Sequence, residues 1–166
     1  MDGIAEERDE DVWEVEALFD LCFAPGRTAL SSYRLRDSVD PVAALCLVWR
    51  DPEGILGGAI RCWPVRISGP GQRAEALLVG PVAVHPTRQG EGLGALLMRA
   101  VIARARAAGA PRLLLVGDAP YYGRFGFVRL DGVQMPPPTN PDRVLGLALV
   151  PGAWDGLSGP VSRAAD

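Results

Sequence analysis

The sequence predicts an α/β fold with a mixed, mostly antiparallel central sheet, one β-bulged and splayed strand pair, and flanking helices. Three observations predict it. Two apolar runs, Val42 to Trp49 and Ile55 to Ile67, flank the turn Asp51-Pro52-Glu53-Gly54, which reads as a hairpin. The stretch from Leu77 to Asp118 reads strand, glycine loop, helix, strand, and that order requires one parallel crossover. The dipeptide Gly80-Pro81 interrupts an otherwise apolar strand; proline cannot donate to a ladder, so a bulge is expected there.

The elements follow in order. Asp11 is placed to cap a helix through Val12, Val15, Leu18 and Phe19, whose spacing puts apolar groups on one face, and Ala24-Pro25-Gly26 stops it. Arg27 to Val39 is polar, rich in arginine and partly helical in character. Val42 to Trp49 reads as a buried strand, Ile55 to Ile67 as a second, and Ala74 to Val84 as a third after the turn Ser68-Gly69-Pro70-Gly71. A helix then runs to about Ala108, with Leu93, Leu96, Leu97, Ala100 and Val101 on one face, and Gly109 ends it. Leu113 to Val116 is a short buried strand and Pro120 to Arg124 a turn or short helix. Phe125 to Leu130 and Val144 to Val150 are the remaining strands, separated by a loop that opens on three prolines.

At 166 residues the chain fits one domain, residues 1–166. Its 17 cations are all arginine, and the formal charge of −3 disfavours a partner such as duplex nucleic acid. The longest apolar run, Val42 to Trp49, is far short of the roughly 20 residues that span a bilayer. The first residues are acidic and lack an apolar signal core, and the 3 cysteines show no metal-like spacing. A cytoplasmic protein, monomer or homodimer, with no metal is the expectation.

Chemistry concentrates in Pro86-Thr87-Arg88-Gln89-Gly90-Glu91-Gly92-Leu93-Gly94. A helix that opens on glycines presents unpaired N–H groups and the positive end of its dipole, so a phosphate or pyrophosphate is its natural guest. Two nucleotide readings stay open. Gly90-x-Gly92-x-x-Ala95 satisfies a loose dinucleotide fingerprint with Asp118 as the ribose-binding acid, which would make the chain an NAD(P)-binding oxidoreductase. Against it, Pro86 to Gln89 separate the strand from the first glycine, and the first half of the chain does not alternate strand and helix.

The other reading rests on a resemblance. Gln89-x-x-Gly92-x-Gly94, placed after Val82-Ala83-Val84-His85-Pro86, resembles the pyrophosphate signature of the GNAT N-acetyltransferase superfamily. Tyr122-Gly123-Arg124-Phe125-Gly126-Phe127 resembles its second signature, and one helix and one strand lie between the two. The whole is similar to a branch of small bacterial N-acetyltransferases. The resemblance implies acetyl-CoA as co-substrate, wedged between the splayed strands, with a small-molecule or peptide amine as acceptor. It implies cofactor contacts at Val82, Ala83, Val84, Gln89, Gly90, Gly92, Leu93, Gly94 and Ala95.

By its place in the motif, Tyr122 is the candidate general acid for the departing thiolate, and the Val82 N–H the candidate oxyanion donor. Many members carry a glutamate where this chain has Leu78, and the family's asparagine after the next strand is also absent. Glu75, Asp118, His85 or a water relay are the candidate bases. The acceptor site is expected from the N-terminal half: Phe23, Arg27, Tyr33, Arg34, Arg36 and Trp63, where an arginine fork suits a carboxylate or phosphate. A non-catalytic acyl-CoA sensor on the same fold is the alternative from another class.

Overall fold

The computed structural model describes residues 3–23 and 31–165. In chain order, β1 (Ile4–Glu6) leads through a 3-10 turn to α1 (Val12–Cys22), and a second 3-10 turn (Ser31–Arg36) precedes β2 (Leu47–Arg50). Two long strands follow, β3 (Leu56–Gly69) and β4 (Gln72–Val84), then α2 (Leu93–Ala107) and β5 (Arg112–Val116). The chain continues through α3 (Ala119–Tyr122), β6 (Val128–Arg129), β7 (Val133–Gln134), β8 (Val144–Ala148) and β9 (Gly159–Arg163).

The sheet runs in the order β1-β2-β3-β4-β5-β8-β6, antiparallel at every step of that path except β4–β5. That single parallel step is the crossover through α2. No doubly wound half is present among the described residues, which removes the dinucleotide-oxidoreductase reading. β3 is long enough to use two partners on one edge: its first half pairs β2, and Val65–Ile67 pair β9.

Side-chain alternation sorts the core onto two faces. Ile60, Cys62, Val79, Leu113 and Leu115 pack under the apolar face of α2, which contributes Leu97, Met98, Val101 and Ala105. On the opposite face α1 lays Val15, Leu18 and Phe19 on Val48, Ala59 and Ala83. Beside it, Leu35, Val65, Ile67, Leu78 and Leu114 form a further cluster. α2 therefore packs because its apolar spacing matches a helical period, and its loop is held at the C-terminal end of β4 as a consequence.

The expected bulge lies on β4. Ile60 pairs with Val82 and Cys62 with Val79, so Arg61 alone faces Gly80 and Pro81. The extra residue shifts the alternation by one. Val79 packs under α2, and so does Val82 three positions on. Without the bulge Val82 would face the other side.

Several expectations need correction. Val42 to Trp49 is not one strand: Ala43–Leu45 make a 3-10 turn, because the Val42 N–H is captured by the Cys62 carbonyl at 2.9 Å before β2 begins. Phe125 lies in a 3-10 turn, and the strand expected to Leu130 is reduced to Val128–Arg129. Val144 to Ala148 is not the last strand, since β9 follows it. Asp11 does not cap α1 with its side chain; Oδ2 accepts from the Arg8 N–H at 2.8 Å and Oδ1 from Arg50 Nη2 at 2.7 Å. The stop Ala24-Pro25-Gly26 lies outside the described residues, while α1 ends at Cys22. Cys46 and Cys62 are buried free thiols, as small core residues are expected to be.

Candidate functional site

The β4–β5 ladder contains two pairs, Leu77↔Leu113 and Leu78↔Leu114, and stops there, although β4 runs on to Val84. Past the bulge the two strands separate and leave a gap. The His85 N–H donates to the Gly57 carbonyl at 2.8 Å, which sets the phase of the β3–β4 ladder. In an antiparallel ladder alternate residues point their N–H and C=O to the same edge, so His85 and Ala83 address β3, while Val82 and Val84 address the gap. Ala83 is therefore a correction: its polar groups face β3 and its methyl is buried beneath α1, so it does not line the site.

Two concavities meet in the gap. A groove of about 450 Å³ is lined by Val82, Val84, Gln89, Gly90, Gly92, Leu93, Gly94 and Ala95, with Arg88, Tyr121 and Arg124 on its rim. A deeper cavity of about 170 Å³ is lined by Phe23, Tyr33, Arg36, Tyr122 and the strand residues Leu78 to Val82, Leu115 and Val116. Val82 and Tyr122 belong to both.

The groove presents backbone donors and open space at a helix start, features that suit an anion. Gly92 takes φ +80° at the start of α2, a conformation glycine adopts without strain, and a Cβ added there or at Gly90 would meet no atom within 4 Å. That space lies directly beside the chain. The first helical bond of α2 runs from the Leu96 N–H to the Gly92 carbonyl at 3.0 Å. The N–H groups of Leu93, Gly94 and Ala95 thus have no partner within the helix and carry the positive end of its dipole. Gln89 fixes this loop to the strand, its Nε2 donating to the Val84 carbonyl at 2.9 Å, and Cys22 Sγ approaches the same oxygen at 3.3 Å. Val84 keeps its N–H, and not a free carbonyl, toward the gap.

Tyr122 is held from three sides. Its ring stands edge-on to Tyr121, with centroids 4.9 Å apart, and to Phe127, at 6.1 Å. It lies so close over Gly117 that a Cβ at that position would collide with the ring. Asp118 Oδ2 accepts from the Tyr121 N–H at 3.1 Å and starts the short helix that carries both tyrosines. Burial pushes the Tyr122 phenol above its ordinary value, and the neighbouring Tyr121 adds to the shift.

None of the three candidate bases lines the cavity. Glu75 is exposed and lies 3.4 Å from Arg66 across the hairpin. Asp118 is the helix cap described above. His85 accepts from the Thr87 N–H at 3.2 Å and faces α1 beside Leu18 and Leu21, away from the gap. Of the acceptor candidates, Phe23, Tyr33 and Arg36 reach the cavity, whereas Trp63 stands behind Arg36 and Arg34 donates to the Pro137 carbonyl at 2.9 Å. Arg27 lies outside the described residues. Two contributors carried no sequence signal as site residues: Gly117, the seat of Tyr122, and the pair Leu115 and Val116. Among the described residues no group of three or more His, Cys, Asp or Glu is placed to hold a metal, and no helix is long and apolar enough to cross a membrane.

A bulged strand, a splayed parallel pair and an anion loop at its open end define a class of acyl-CoA-dependent transferase. Residues 4–129 match the family described as an acetyltransferase (GNAT) domain, and the chain belongs to that family. It is similar to the Escherichia coli GNAT family N-acetyltransferase YhbS in complex with CoA, at 25% identity and a TM-score of 0.79, over 96% of this chain and 88% of that one. It is also similar to a GNAT family acetyltransferase from Brucella melitensis in complex with acetyl-CoA, at 31% identity and a TM-score of 0.71, over 98% and 95% of the two chains. No curated protein matches the sequence.

Proposed function

We propose that the chain acts as one catalytic domain that moves the acetyl group directly to the nitrogen of a small-molecule or peptide amine, with Tyr122 as general acid. The observation that carries this reading is the shared wall: Val82 and Tyr122 line both the anion groove and the acceptor cavity, so the reacting atoms belong between them. Acetyl-CoA supplies an acyl group activated as a thioester. The helix-start N–H groups of Leu93, Gly94 and Ala95 hold its pyrophosphate, and the polar groups of Val82 and the Val84 N–H offer an unpaired strand edge to its amides. The Val82 N–H is the donor for charge that develops on the carbonyl oxygen.

A C–N bond forms and the C–S bond breaks. Tyr122 gives its proton to the departing sulfur and is reprotonated by the proton that nitrogen gives up through water. Its raised pKa keeps it protonated at neutral pH, which suits an acid and not a base. With Glu75, Asp118 and His85 placed elsewhere, the amine enters as the free base. The test is a free-thiol assay with acetyl-CoA and an amine library. Acceptor-dependent thiol release that depends on the Tyr122 hydroxyl supports the reading, and release that ignores both the acceptor and the hydroxyl overturns it.

A further inference from the structure

The fork between β4 and β5 closes on hydrocarbon. Their ladder ends at Leu78↔Leu114, and from there Leu78, Val79, Leu115 and Val116 line the cavity of about 170 Å³. These four side chains are shared between two cores: Val79 and Leu115 pack with α2, and Leu78 and Val116 with the cluster on the opposite face. Leu78, Val79 and Leu115 are at most 5% exposed, so close packing on both faces fixes this floor. The Gly80 carbonyl beside it accepts from Arg36 Nη2 at 3.0 Å, which satisfies that backbone group. A cavity of roughly 150 Å³ walled by Leu, Ile and Phe holds a benzene ring, so the space here exceeds what the methyl of an acetyl group fills.

A thioester carbon held between Val82 and Tyr122 is trigonal. Its sulfur leads back to the anion groove, its oxygen meets the Val82 N–H, and its third bond carries the acyl chain onward into the cavity. The amine attacks across the plane of those three bonds, so amine and chain take different directions. Phe23 and Tyr33, from outside the sheet, wall part of the remaining space. Apolar walls favour every methylene that reaches them. We propose that the site binds short straight-chain acyl-CoA thioesters, propionyl-CoA and butyryl-CoA, more tightly than acetyl-CoA, with the chain lodged among Leu78, Val79, Leu115 and Val116. The bonds made and broken stay those of acetyl transfer. This inference rests on the acetyl-transfer reading above and names the class of acyl donor.

The test measures Kd by calorimetry on the full chain, without an acceptor, for CoA and for acetyl-, propionyl-, butyryl-, hexanoyl- and octanoyl-CoA. The wild type is compared with Val116→Phe and Val116→Ala. In the wild type, butyryl-CoA is expected to bind about tenfold more tightly than acetyl-CoA, with propionyl-CoA between them. Octanoyl-CoA, too long for the floor, loses the gain. Val116→Phe fills the floor and brings the butyryl-to-acetyl ratio close to one, whereas Val116→Ala enlarges it and raises hexanoyl-CoA relative to butyryl-CoA. Because ratios are taken within each variant, a general loss of affinity cancels, and Val116→Ala decides if Val116→Phe does not fold. Equal or tighter binding of acetyl-CoA in the wild type overturns the inference, as does a chain-length order unchanged by the substitutions. Affinity that climbs through octanoyl-CoA in every variant marks adhesion of the chain to the surface and also overturns it. Failure of both CoA and acetyl-CoA to bind overturns the parent reading instead.

Discussion

Gln89 Nε2 donates to the Val84 carbonyl at 2.9 Å, so the residue that opens the glycine signature ties the anion loop to the end of the bulged strand. The loop and the strand edge are thereby held in one register. A cofactor spanning both meets two preset halves and loses little freedom in joining them. Gln89→Ala releases the loop, and the expected outcome is an acetyl-CoA KM raised about fivefold with kcat much less affected. Steady-state kinetics with acetyl-CoA varied checks it; a fall in kcat at unchanged KM would place Gln89 in the chemistry instead.

Tyr122→Phe removes a hydroxyl and keeps the ring packed on Tyr121, Phe127 and Gly117. Turnover is expected to fall about 10²–10⁴-fold, while stabilisation by acetyl-CoA is retained. Burial raises the phenol above its ordinary value of about 10, so the acid form persists to higher pH than in water. The rate should rise with pH as the acceptor amine loses its proton. A falling limb due to Tyr122 should lie above pH 10, and a Tyr122-dependent loss of activity near neutral pH would count against the assignment.

Gly117→Ala tests the same side chain without touching it. The new methyl would collide with the Tyr122 ring, and the ring must move because Gly117 lies in the backbone beneath it. The expected cost is about 1–3 kcal/mol of stability together with a fall in kcat, read by thermal melting and turnover. A variant that melts lower yet keeps full kcat would show that the position of the ring does not limit the reaction.

Asp11 stands apart from the site and reports on the fold. It is 4% exposed; the hydrogen bond from the Arg8 N–H, with the Arg50 guanidinium, holds its carboxyl below the usual aspartate range despite burial. A depressed folded-state pKa contributes stability that is present above the unfolded value of about 3.9 and lost as pH falls through the folded one. Asp11→Asn should therefore cost about 1–3 kcal/mol at neutral pH, and the gap to wild type should narrow below about pH 4. Urea titrations at both pH values measure it.

Much of this arrangement was legible in the residues. The α2 periodicity, the Gly80-Pro81 interruption and the two signatures are local, so they name the helix, the bulge and the order of the site. What the sequence hid depends on tertiary partners. β9 has one buried residue, Val161, and no apolar alternation; it becomes a strand because the far half of β3 offers a free edge. Val42 to Leu45 looks like strand because apolar continuity does not separate a strand from a buried turn. Glu75, Asp118 and His85 qualified as bases by residue type, and only their placement on the hairpin, the helix cap and the α1 side removes them. Arg36 and Arg34 are equally plausible in sequence, two positions apart, yet one lines the cavity and the other holds the Pro137 carbonyl.

We propose that acetyl-CoA occupies the gap between β4 and β5, with its pyrophosphate on the loop from Gln89 to Gly94. Thermal melting with and without the ligand tests it most directly. At a concentration of about 100 times Kd, binding to the folded state adds about 2.7 kcal/mol, which for a chain of this size raises the melting temperature by about 5–10 °C. The expected result is that rise with acetyl-CoA and none with NAD(H). A melting temperature unmoved by saturating acetyl-CoA would contradict it.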